Sequence, residues 1–78
     1  MTINSFSVFW TDPQGTVHTE FKYRPIEDVR SAVTRLTRGP AAMMGIVKEV
    51  RVVDVSDCTN FLWQNGEVVF PTAEDLER

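Results

Sequence analysis

The chain has 78 residues, with 8 Lys and Arg against 11 Asp and Glu, one His, one Cys and 42% hydrophobic content, for a net charge of −3. A chain of this length buries roughly 60% of its unfolded surface, enough for one core and too little for a second. The 10% aromatic content excludes an ordinary disordered region, and a single Cys58 excludes an intrachain disulfide, so a reducing, cytoplasmic setting is expected.

Met1 to Ser5 places no basic residue ahead of an apolar stretch, so no secretory signal is expected. The longest run without charged or hydrogen-bonding side chains, Pro40 to Val47, falls far short of the about twenty residues a membrane-spanning helix needs. Residues 1–40 carry five positive and four negative side chains, and residues 41–78 carry three positive and seven negative. The second half therefore repels phosphate, and bulk nucleic-acid affinity is not favoured.

From Phe6 to Trp10, Phe6, Val8 and Trp10 alternate with Ser5, Ser7 and Thr11, the period of a half-buried strand, with Phe9 as the exception. Asp12-Pro13-Gln14-Gly15 predicts a chain reversal. Thr16 to Tyr23 resumes the alternation, with Val17, Phe21 and Tyr23 on one side and His18, Glu20 and Lys22 on the other. An even connection pairing Thr11 with Thr16 sets Trp10 opposite Val17 and Phe6 opposite Phe21. A three-residue loop would set Val8 against Glu20 and Phe6 against Lys22, so the even register is expected.

Pro25 to Arg38 predicts a helix, because Ile26, Val29, Val33 and Leu36 recur at spacings of three and four while Glu27 and Asp28 favour its N-terminal end. Arg35 and Arg38 suit its last turn, Gly39 a left-handed cap, and Pro40 a stop. Ala41 to Gly45 is an apolar connector expected to lie against the domain or a partner. Ile46 to Val55 predicts a strand, with a bulge near Val52-Val53 to reconcile its two valine phases.

Asn65-Gly66 is a strong type I′ hairpin signal between Thr59–Gln64 and Glu67–Phe70. It pairs Gln64 with Glu67, sets Trp63 opposite Val68 and Phe61 opposite Phe70 as a four-residue apolar face, and pairs Leu62 with Val69 on the opposite side. Pro71 ends the strand, and Thr72 to Asp75 resembles a capping box with little chain after it. The expectation is one α+β domain over residues 1–71, followed by an acidic tail over 72–78. The domain has two layers, one helix on a four- or five-stranded mostly antiparallel sheet in the order β-β-α-β-β-β, without internal repeats. The helix connection would allow the third strand to lie parallel to the first.

His18 and Cys58 are forty residues apart without a paired partner motif, so no metal site is expected, and neither sits beside a base suited to nucleophilic catalysis. His18 is expected on a solvated strand face, and Cys58, between Asp57 and Thr59, as an inert thiol. The glycines do not form a phosphate loop, so no cofactor is expected. Phe6, Trp10, Phe21, Tyr23, Phe61, Trp63 and Phe70 are needed for the core, which leaves little for base stacking.

One helix cannot cover both faces of such a sheet, and Phe9, Leu62 and Val69, with Met43 and Met44 on the connector, remain as candidate partner contacts. These residues imply a small non-enzymatic protein-interaction module, self-associating through a partly apolar sheet face, with Asp54, Asp57, Glu67, Glu74, Asp75 and Glu77 as a secondary acidic surface. The length and cofactor-free make-up are similar to those of small phage and prophage accessory proteins. That resemblance implies an alternative in which the acidic residues occupy a basic surface of a host protein. A sheet-based nucleic-acid-binding module and a small enzyme using His18 or Cys58 are further alternatives.

Overall fold

A computed structural model of the protein describes residues 5–71. The expected order of elements is present: β1 (Phe6–Thr11), β2 (Val17–Arg24), α1 (Ile26–Arg38), a short α2 (Pro40–Met43), β3 (Glu49–Val53), β4 (Thr59–Gln64) and β5 (Glu67–Phe70). The apolar connector is thus a helical turn, with Pro40 at its first position, where a missing N–H costs nothing. β3 is shorter than the Ile46–Val55 stretch suggests.

The sheet runs β2-β1-β3-β4-β5, and every neighbouring pair is antiparallel. β3 is therefore antiparallel to β1, and the parallel arrangement that the helix connection would allow is not adopted. The crossover explains this. β2 ends beside Phe6, α1 travels about 20 Å back along the sheet, and β3 starts where Thr11 ends β1. A helical crossover makes β3 parallel to β2, and β1 lies between them, so it runs the other way.

α1 buries Val29, Ala32 and Leu36, with Ile26 and Val33 packed at the margin. Gly39 is not a left-handed cap; its φ is −79°. Its N–H donates to the Arg35 carbonyl at 2.9 Å. A Cβ on Gly39 would press into that same carbonyl oxygen, so close approach rather than handedness requires glycine.

The core comprises Val8, Val29, Leu36, Val47, Val50, Val52 and Trp63, flanked by Phe6, Trp10, Phe21 and Phe61. Tyr23 and Phe70, expected inside, are 67% and 39% exposed. Both belong to edge strands, and bulges turn them away.

In the first hairpin, Thr11 pairs with Val17 and Trp10 with His18, so the even register is not adopted. The Asp12 N–H donates to the Thr16 carbonyl and the Gly15 N–H to the Asp12 carbonyl, enclosing a three-residue loop. The apolar mismatch of that loop is cured downstream. Two irregularities shift β2 so that Val8 meets Phe21 and Phe6 meets Arg24, and Tyr23 takes a φ of 58°. His18 consequently shares the face of Trp10 and stacks on it, centroids 4.3 Å apart, with its side chain still 42% exposed.

The second wide loop repeats the first. The Asp54 N–H donates to the Cys58 carbonyl and the Asp57 N–H to the Asp54 carbonyl, with Asp57 at φ 60° in the place of Gly15 at 87°. In each loop one carboxylate oxygen accepts two backbone N–H groups, Gln14 and Thr16 on Asp12 (both 2.9 Å), Ser56 and Cys58 on Asp54 (2.8 and 3.1 Å). The second oxygen meets the side chain six residues on: His18 at 2.7 Å and Asn60 at 3.0 Å. The chain thus contains a local repeat, Asp-x-x-(Gly/Asp)-x-x-(His/Asn), which composition does not reveal.

The register shift expected near Val52-Val53 is present, but the extra residue is on β4, since Val52 pairs with Phe61 and Val53 with Thr59. In the Asn65-Gly66 hairpin, Gln64 meets Glu67 and Trp63 meets Val68 as expected. One extra residue in β5 then sets Phe70 opposite Leu62 rather than Phe61, so the Phe61–Phe70 and Leu62–Val69 pairs do not form.

Candidate interaction surfaces

The sheet face away from α1 carries one cross-strand row. Phe9 lies opposite Arg51, Arg51 opposite Leu62, and Leu62 opposite Phe70. Phe9 and Leu62 are half-buried, and Arg51 separates them. Glu49 stands beside Arg51, 3.7 Å from its guanidinium, and accepts a hydrogen bond from Gln64 Nε2 at 2.7 Å. The middle of this face is therefore polar. Apolar surface lies at both ends of the row: at the outer end Phe70 is 39% exposed, with Val69 beside it on β5 at 42%, and at the β2 end Val17 is 62% exposed near Phe9.

That outer end is also a sheet edge. All four β5 residues are exposed, and among the described residues no strand pairs with its outward side. The opposite edge, β2, is interrupted by two bulges and tied to α1 by the Glu20–Arg35 ion pair, devices that blunt an edge.

Met43 and Met44 do not join the face of Phe9 and Leu62. Both are exposed, Met43 as the last residue of α2 and Met44 as its C-terminal cap, and Met43 borders a hollow with Val47, Lys48 and Trp63 on the helix side. That hollow continues along α1. The helix packs over β1, β2 and β3, which leaves a cleft between it and β4–β5, apolar where Val33 of α1 faces Val52 and Phe61 and more polar where Thr34, Thr37 and Arg38 face Val68. Sequence periodicity assigned Val33 and Phe61 to the core and so missed the cleft; the excess of sheet width over helix width is the signal that could have found it.

The acidic candidates are scattered. Asp54 is occupied by its own loop, and Asn60, Cys58 and Ser56, in that order of effect, hold its carboxyl below the usual range by hydrogen bonding. Asp12 is lowered likewise, first by His18 and then by Thr16. Asp57 lies in the β3–β4 turn and Glu67 opens β5, while Glu74, Asp75 and Glu77, with the rest of the expected tail, lie outside the described residues.

His18, near the start of β2, and Cys58, in the β3–β4 loop, lie at opposite ends of the sheet, because β1 and β3 run antiparallel. Cys58 is exposed, its thiol 3.9 Å from the Ser56 carbonyl oxygen. Among the described residues, no helix is long and apolar enough to cross a membrane. Compared with protein-family models, curated proteins and solved structures, the chain matches none of them.

Proposed function

We propose that the protein is a non-enzymatic interaction module that associates with a second copy of itself through the β5 edge and the apolar row leading to it. The observation that carries this reading is the exposure of β5, with Val68, Val69 and Phe70 at 51%, 42% and 39% on an edge that no strand among the described residues pairs with. Two β5 strands related by a twofold axis would satisfy each other's outward backbone groups and cover Val69 and Phe70 in the same step. Of the residues singled out by sequence, Leu62 and Val69 belong to this surface, whereas Phe9 lies inboard beyond Arg51. The lone thiol of Cys58 supports a reducing, cytoplasmic setting for such a module.

Sedimentation velocity from micromolar to millimolar protein tests the reading. The mass should rise with concentration toward twice the 8.9 kDa of the chain. Val69→Lys, at an exposed edge position, should abolish that rise without changing the circular dichroism spectrum, and Leu62→Asp should weaken it. A mass that stays monomeric throughout, or association unchanged in Val69→Lys, refutes the reading.

A further inference from the structure

We infer that the cleft between α1 and β4–β5 receives an acidic amphipathic helix from a partner protein. The argument starts from widths. Five strands at about 4.8 Å spacing place the outer strands about 19 Å apart, which two helices packed 8–10 Å apart would cover. The protein supplies one long helix, seated over β1, β2 and β3, and the second place, beside β4–β5, is open: apolar where Val33, Val52 and Phe61 line it, and more polar toward β5, where Thr34, Thr37 and Arg38 face Val68.

Charge selects the occupant. The chain has more acidic than basic residues, yet the charged side chains lining this cleft and its continuation toward α2 are Arg30, Arg38 and Lys48, with no carboxylate among the described lining residues. The ion pairs of α1 are made by Asp28 and Arg35; among the described residues Arg30 and Arg38 have no acidic partner. They stand eight residues apart, about 12 Å along the helix axis. A helix lying alongside with carboxylates about two turns apart would meet both, while its leucine-like face settles on Val33, Phe61 and Val68.

The test uses the full chain and two amphipathic helical peptides that share one leucine face. One carries glutamates two turns apart, and the other carries lysines at the same positions. In fluorescence anisotropy the glutamate peptide should bind, and the lysine peptide should bind at least about tenfold more weakly, the effect of two rim charges. Combining Arg30→Glu with Arg38→Glu, both exposed positions, should invert the preference while the fold is retained. Equal binding of both peptides, indifference to the double substitution, or preferential binding of a single-stranded oligonucleotide would each overturn the inference. So would binding of the glutamate peptide only after Glu74→Gln, Asp75→Asn and Glu77→Gln are introduced in the full chain, because the occupant would then be the chain's own terminus. Self-association through β5 is read separately by sedimentation, so either proposal can fail alone.

Discussion

Val17 and Val50 are both expected on strands, Val17 opposite Trp10 in the even register, yet the structure gives them opposite surroundings. Val50 is fully buried on a central strand, paired with Trp10 and Trp63, whereas Val17 is 62% exposed. Truncating a fully buried valine to alanine removes about two methylene equivalents, about 1.6 kcal/mol of transfer free energy, and the residual cavity raises the cost to about 2–3 kcal/mol. Val17 keeps only about two-fifths of that burial, so Val17→Ala should cost no more than about 0.6 kcal/mol. A domain of this size has a total stability of about 4–12 kcal/mol, so Val50→Ala is a large perturbation and Val17→Ala a small one. Urea denaturation followed by tryptophan fluorescence measures both, with comparison of midpoints at unchanged slope. A cost above about 1.5 kcal/mol for Val17→Ala would mean that Val17 faces Trp10 after all, and the three-residue loop with its compensating bulges would be refuted.

Gly39→Ala should destabilise by about 1–3 kcal/mol, because the new methyl must displace the Arg35 carbonyl at the end of α1; a neutral result in thermal melts would refute the close approach. The lowered carboxyls of Asp12 and Asp54 make stability pH-dependent in one direction. Their contribution is fully present above the ordinary aspartate range near pH 4 and is lost as pH falls through their depressed folded values. Asp54→Asn should therefore flatten the acid limb of a plot of urea midpoint against pH, and an unchanged limb would show that the loop does not stabilise the ionised form.

The two loops show how far local chemistry carries. Asp12, Pro13 and Gly15 announce a turn, and Asn65-Gly66 announces another, because positive φ and side-chain capping are properties of a few adjacent residues. The second copy of the Asp12 loop, at Asp54, escaped notice because Asp57 rather than glycine takes the left-handed position. Register was harder. A bulge is an agreement between two strands: the shifts at Phe6–Val8 and Val8–Phe9 set Phe21 opposite Val8 at the core, while those at Val52–Val53 and Leu62–Trp63 set Phe61 opposite Val52 and turn Phe70 to the side of Leu62. The candidate surfaces were legible in the same measure. That one helix would leave apolar surface uncovered follows from counting elements, but which residues share a surface depends on strand order, and that order sends Met43 to the helix side and divides Phe9 from Leu62 by Arg51.

By itself the sequence determined the α+β class, the succession of elements, the buried stripe of α1 and the turn at Asn65-Gly66, since each rests on a periodicity or a dihedral preference contained within one segment. The tertiary structure alone decided that β3 enters beside β1, that the bulges sort the aromatics, and that α1 covers three strands and leaves two open. Those outcomes depend on how long the helix is relative to the sheet and how wide the sheet is relative to the helix, quantities that exist only once distant segments are packed together.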